Sequence, residues 1–395
     1  MADELKRKIG LKLLTAYGVG VMVGAGIYVL VGAVAAEAGV WAPLAFLISG
    51  LIAAPTALSY AEFSTRIPEA AGEAAYVGAG FGKQGLAVFV GFAIVLAGTV
   101  SAAAVLRGGA GYLIALTGFQ FEPTIMLMGV ALILVALAGV LESLTLAAIF
   151  TVVEVIGLGF VVYAGLSSEA QVSFTAPEPV VWGGIASAAV LAFFAFIGFE
   201  DIVNMAEEVQ DPTHVLPRAI LYSLLITSVL YAFVAYAAVR AVPLEVLAKS
   251  EQPLALVWTQ AYGGQAAFLS AIAVAAALNG VLAQIVMASR VLFGLGKRNA
   301  MMAIFHHAHR KWGTPVLATA LVGLGVMGAA LVLPVAELAE IAAGILLSVF
   351  VLVNAALIVL KRSKPDAPFR VSMAVPVFGL VASLAALAVT IGANL

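Results

Sequence analysis

Gly24-Ala25-Gly26-Ile27-Tyr28 interrupts the first long apolar stretch of the chain, and Phe196-Ile197-Gly198-Phe199-Glu200 interrupts a later one. A helix crossing hydrocarbon satisfies its own backbone, so a break at that depth persists only where protein or a cavity supplies the missing partners. Two broken spans at corresponding places point to a buried polar site between them. The rest of the sequence fixes the solvent. Of 395 residues, 64% are hydrophobic and 10% charged, which is too much apolar surface to hide in one soluble core. The absence of cysteine removes disulfides, thiolate metal sites and cysteine nucleophiles together.

A bilayer crossing takes about 20 apolar residues. Segments of that kind fall near 11–36, 41–65, 85–115, 124–141, 145–166, 183–206, 216–241, 264–295, 314–333, 336–360 and 372–393. The expectation is an all-α polytopic membrane protein forming one membrane domain over 1–395, with a first repeat at 11–166, a second at 183–360 and an additional span at 372–393. The first apolar run follows Lys6-Arg7-Lys8 but is long and lacks a cleavage site, so it reads as a retained span.

Starting inside, this threading places fifteen basic residues on cytoplasmic segments, among them Lys12, Arg66, Lys83, Arg218, Lys361 and Arg370. Only Arg240 and Lys249 fall outside, while Arg107 and Arg290 lie within spans. That bias supports a cytoplasmic N-terminus, a multi-pass location in the cytoplasmic membrane and an external C-terminus. The segment 244–262 reads as an amphipathic external cap whose role is packing. His306, His307 and His309 have no acidic or thiolate neighbour and read as a solvated basic loop; no metal or other cofactor is expected. Pro55 should bend the second span.

The run Gly24-Ala25-Gly26-Ile27-Tyr28 resembles the first-helix signature of the amino acid–polyamine–organocation superfamily. Tyr60-Ala61-Glu62-Phe63 leading into Arg66-Ile67-Pro68-Glu69-Ala70-Ala71-Gly72-Glu73 is similar to the end of that family's second helix and the loop after it. Phe196-Ile197-Gly198-Phe199-Glu200 followed by Asp211-Pro212 resembles its sixth helix, and Ser289-Arg290-Val291-Leu292-Phe293 the end of its eighth. Four matches in order cover most of the chain.

The resemblance implies a bacterial-type permease with the five-plus-five inverted-repeat fold, broken helices 1 and 6, and one additional C-terminal helix. Its activity would be secondary transport of an amino acid or related amine by alternating access, with proton symport expected and obligatory exchange as the alternative. The physical reading agrees. Amides at Gly24, Ala25, Gly26 and Ile27, at a positive half-helix end, suit a carboxylate. Carbonyls near Val21, Met22, Phe194, Ile197 and Gly198 suit the three donors of an ammonium group. The alternative is a kink made by small residues for packing alone.

Among side chains, Phe194 is a candidate gate, by resemblance. Glu200 and Asp201 are gating or structural carboxylates, since a carboxylate within a span needs a partner, a proton or water. Glu154, in the fifth span, replaces a lysine found at the matching place in proton-coupled relatives, and is expected to carry the coupling proton. A fixed hydrogen bond or attraction of a cationic substrate are its other readings. Asn279 supplies the polar face of helix 8 beside it. The hydroxyl pair typical of sodium-coupled relatives is not evident in Ala275–Ala283, so sodium is the less favoured ion. Arg107 needs a partner, for which Asp201 and Glu200 are candidates, or a route to the surface. A homodimer stays open, lipid is the surrounding partner, and nothing points to nucleic acid. A channel would want a continuous hydrophilic pore, and an enzyme a nucleophile or metal constellation. Neither is present in the sequence.

Overall fold

The computed structural model describes residues 9–24, 26–67, 72–138, 144–172, 180–264, 266–298, 300–307 and 314–393. Ala25, Pro68, Glu69, His309 and the basic residues Lys6, Arg7, Lys8, Arg310 and Lys311 lie outside them. The described residues are almost wholly helical. The first apolar stretch folds as two pieces, α1 (Leu11–Val23) and α2 (Gly26–Ala38). A single turn at Gly39–Trp41 leads into α3 (Ala42–Arg66). Then follow α4 (Gly72–Phe81), α5 (Gln84–Thr117), α6 (Phe121–Ala138) and α7 (Leu144–Ser167). The second interrupted stretch begins as α8 (Trp182–Phe193), tightens to a 3₁₀ turn at Phe194–Phe196, and resumes as a 3₁₀ segment at Glu200–Glu208.

The remaining helices are α9 (Pro212–Ala241), α10 (Leu244–Ala248), α11 (Pro253–Tyr262) and α12 (Ala267–Arg298). A 3₁₀ turn at Ala300–Phe305 precedes α13 (Val316–Val332), α14 (Val335–Ser363) and α15 (Ala374–Ala393). Among the described residues, nine stretches are long and apolar enough to cross a membrane. One of them, Gly26–Arg66, joins α2 to α3, and α1 and α13 are shorter apolar helices. Each expected span has a helical counterpart, displaced by a few residues. The 244–262 cap folds as α10 and α11, which pack on α2, α7 and α9. Pro55 does not end α3: the helix continues through it. Ser59 donates to the Pro55 carbonyl at 3.1 Å, and the Thr56–Asn354–Ser59 hydrogen bonds tie this part of α3 to α14.

The interior is built from small residues and aromatic rings. α5 lies along α12, α3 along α9, and α14 against both α5 and α15. Close approach explains several glycines: a β-carbon at Gly109 would collide with Ala277, and one at Gly165 would lie 2.6 Å from Ala237 Cβ. Phe63, Tyr60, Tyr76, Phe199 and Phe350 form one aromatic cluster, with Phe63 stacked on Tyr76 at 4.7 Å.

At the end of α3 a buried ion cluster fastens three parts of the chain. Glu62 accepts from Lys361 Nζ at 2.6 Å, from Arg66 at 2.6 and 2.9 Å, and from the Val371 amide at 2.9 Å. Arg66 also donates to the Lys364 and Asp366 carbonyls, and Lys361 to that of Val371. One carboxylate is thus held between two cations, with its remaining acceptor capacity used by backbone. α3, α14 and the segment leading to α15 are locked together at this face.

Candidate functional site

The two breaks meet. A β-carbon at Gly26 would lie 3.1 Å from Ala195 Cα, and one at Gly198 2.5 Å from Val21 Cγ1, so each interruption packs on the other. Gly198 has φ of 122°, a conformation that side-chain-bearing residues rarely adopt. Glycine is therefore needed there twice over, for the turn and for the approach to α1.

The ends of the half-helices are not equivalent. Gly24 caps the end of α1, its amide donating to the Gly20 carbonyl at 3.0 Å. The first amides of α2, from Gly26 and Ile27 onward, carry its positive dipole end toward the break. The Met22 and Ala195 carbonyls accept no backbone N–H across either break among the described residues. Both instead face the hydroxyl of Tyr231 on α9, at 2.6 and 2.9 Å. The Phe194 carbonyl accepts from the Ile197 amide at 3.2 Å. Phe194 is buried, 3.8 Å from the place a Gly26 β-carbon would occupy, whereas Phe196 packs on Tyr231 and Phe199 on Tyr60 and Phe350.

Glu200 turns back on its own break: its carboxylate accepts from the Gly198 amide at 2.9 Å. Asp201 lies beside it, and the two line a small cavity with Glu73 of α4, Ile197, Gly98 of α5 and Gln284 of α12. Tyr60 donates to Glu73 at 3.3 Å. Burial pushes the Glu73 carboxyl up from 4.5 to about 7. Arg107 is elsewhere, which corrects its expected pairing with Asp201 or Glu200. Its guanidinium donates to the Ala330 carbonyl at 2.7 Å and lies 4.5 Å over the Phe121 ring.

Glu154 sits on α7 where that helix passes the first break. One turn earlier, Thr151 stands against Gly20 of α1, where any β-carbon would collide with its hydroxyl. Tyr28, the last residue of the first motif, donates to the Glu154 carbonyl at 2.9 Å, and its own carbonyl accepts from Tyr112 at 2.6 Å. The Glu154 side chain is 1% exposed, and neither carboxylate oxygen has a hydrogen-bond partner among the described residues. Asn279, partly buried on α12, therefore does not hydrogen-bond to it. Two orphan oxygens on a buried carboxyl are costly unless the group is neutral or awaits a partner.

Two features escaped the sequence reading. Tyr231 joins both breaks from α9, well beyond the Asp211-Pro212 motif at the start of that helix; only its place in a span, as a hydroxyl needing a partner, hinted at it. Glu73 belonged to a loop motif, but nothing local indicated that α4 would fold inward beneath the second break.

A bundle of membrane-length helices, two of them broken and touching at their breaks beside an unpaired carboxyl, defines a polytopic transporter. The sequence profile of the amino acid permeases matches residues 9–394, and the chain belongs to that family, within the amino acid–polyamine–organocation superfamily. It is 30% identical to the branched-chain amino acid permease BcaP of Bacillus subtilis, over 92% of this chain and 83% of the relative. It is 29% identical to the vacuolar cationic amino acid transporter 4 of Arabidopsis thaliana, over 92% of this chain but 64% of that longer protein. A methylthioribose transporter of Bacillus subtilis is 27% identical, over 97% of this chain and 87% of the relative. These relatives are permeases and transporters, not enzymes.

Proposed function

We propose that this protein is a secondary transporter of amino acids, working by alternating access across the cytoplasmic membrane. The observation that carries the reading is the contact between the breaks, Gly26 on Ala195 and Gly198 on Val21, which brings amide donors and freed carbonyls to one place. A zwitterion fits that pairing. Its carboxylate takes the amides from Gly26 and Ile27 at the start of α2, and its ammonium takes carbonyls at the ends of α1 and α8. Phe194 closes over the bound ligand. Five spans from α1/α2 to α7, leaving out the short α4, and five from α8 to α14, leaving out α10 and α11, act as repeats of opposite topology, with α15 added, and the face holding Arg66 and Lys361 is cytoplasmic. The names of the relatives cover branched-chain and cationic amino acids and methylthioribose, so the substrate is assigned as a class, amino acids or related amines.

Transport is proton-coupled through Glu154. A carboxyl without a partner beside the first break is a group that takes up or loses a proton as the surrounding water changes during the cycle. Obligatory exchange is the second reading. It is favoured by the dense packing around the breaks, where Tyr231 and Glu200 already satisfy part of the exposed backbone. Sodium is the weaker candidate ion, because Asn279 and Glu154 do not form a paired ligand set.

Uptake of labelled amino acids into empty proteoliposomes, with an internal pH near 7 and an acidic exterior, tests this. Acid-stimulated accumulation that disappears in Glu154→Gln is the expected result. Accumulation that survives the substitution removes Glu154 from the coupling, and uptake seen only after preloading replaces symport with exchange.

A further inference from the structure

Tyr231 is fully buried, and its ring is held edge-on by Phe46 at 5.7 Å and Phe196 at 5.2 Å. Its hydroxyl lies 2.6 Å from the Met22 carbonyl and 2.9 Å from the Ala195 carbonyl. These are end carbonyls of different broken helices, and the protein offers no backbone donor to either among the described residues. A phenol has one proton, so it satisfies one carbonyl fully and shares itself poorly with the other. Both carbonyls also sit at the negative ends of half-helices, which favour a positive charge over a neutral donor. An ammonium group brings that charge and three donors.

We propose that Tyr231 is an internal competitor for the substrate's ammonium group: its hydroxyl occupies the Met22 and Ala195 carbonyls in the empty transporter and yields them on loading. The inference rests on the functional reading above and adds a residue that sets affinity and release. The hydroxyl keeps the breaks satisfied when no substrate is present, so the empty protein can change conformation without burying two unpaired acceptors. It also weakens binding, because each loading event exchanges an existing hydrogen bond for a new one. Returning to the carbonyls as the substrate leaves, it promotes release.

The test is binding to the purified full chain, using the tightest member of a panel of the twenty standard amino acids and, by competition, the same carboxylic acid lacking its amine. Tyr231→Phe preserves the ring and removes the competitor. The amino acid should bind about 3- to 10-fold more tightly, the range set by one neutral hydrogen bond, while the amine-free acid binds as before. Vesicle uptake should show a lower KM and a lower maximal rate. Replacing Tyr231 with 3-fluorotyrosine, a stronger donor of nearly the same size, should shift amino acid binding the other way. That arm decides the matter if Tyr231→Phe does not fold. Unchanged or weaker amino acid binding in the phenylalanine variant overturns the proposal, as does equal tightening of the amine-free acid. If the wild-type protein binds no amino acid of the panel, the functional reading falls and this inference with it. If the wild type binds and the variant does not differ, only this inference falls.

Discussion

Glu62 and Glu154 are both carboxylates buried in helices of the same bundle, at 0% and 1% exposure, yet their surroundings are opposite. Glu62 is held by two cations and a backbone amide; Glu154 has no hydrogen-bond partner on either oxygen among the described residues. The difference separates a charge used to hold a structure together from a carboxyl that ties no helices together, the contrast on which the proposed coupling role of Glu154 rests. A buried pair is stable only when its partners are all present, and its loss leaves uncompensated charge. An unpaired carboxyl has no such network to lose, so its replacement strands no partner. Glu73, to which the Tyr60 hydroxyl donates, stands between them.

The sharpest way to break this comparison is at Glu62. Glu62→Ala strands Lys361 and Arg66 and should cost about 3–5 kcal/mol of unfolding free energy. Combining Glu62→Gln with Lys361→Met should recover much of the loss, because it removes the stranded ammonium as well. Thermal unfolding in detergent would report this, and a single variant within about 1 kcal/mol of wild type would show the cluster to be dispensable.

Glu73 tests the intermediate case through pH. Its folded-state value, near 7, lies above the ordinary 4.5, so the folded protein holds this proton more tightly than the unfolded chain. Its contribution is fully present below about 4.5, declines as pH rises and is lost above about 7, a swing on the order of 3 kcal/mol at most. Glu73→Gln should flatten that part of the stability curve. An unchanged slope would mean that Glu73 is hydrated in the protein.

Glu154→Gln should leave the unfolding midpoint unchanged or raise it, since no hydrogen bond to the carboxylate is lost. Acid-stimulated uptake should nevertheless fall at least about tenfold, the scale of a lost proton-transfer group. A large destabilisation would place Glu154 with Glu62 as a structural anion and erase the contrast.

The smallest effect is expected at Asp211, which pairs with His214 at 3.0 Å on the surface. Hydrogen bonds from Thr213 and His214 hold its carboxyl below the ordinary range. Its contribution is therefore present above that range and fades in acid, but both partners are solvated, and Asp211→Asn should shift neither stability nor uptake measurably. A clear shift would mean that surface charge near the start of α9 influences the cycle.

Much of this arrangement was legible along the chain. Gly24 and Gly198 marked the breaks because glycine is a local property, and the apolar stretches placed the helices because crossing a membrane is a matter of length and composition. Arg107 was misjudged because the long side chain of an arginine has carbonyls and rings of several neighbouring helices within reach, and Ala330 and Phe121 come to it from elsewhere in the chain. Asn279 was legible as the polar residue of its span, whereas the side of α12 it faces is set by packing, and among the described residues it makes no hydrogen bond to Glu154.

By itself the sequence determined the membrane environment, the order of helices, the two interruptions and the presence of unusual carboxyls within them. Only the tertiary structure decided which carboxyls are paired. Glu62 meets Lys361 across 299 residues, and Tyr231 meets Met22 across 209. Such pairings depend on which helix faces pack together, and hydropathy cannot encode that when the lipid-facing and protein-facing sides of a helix are almost equally apolar.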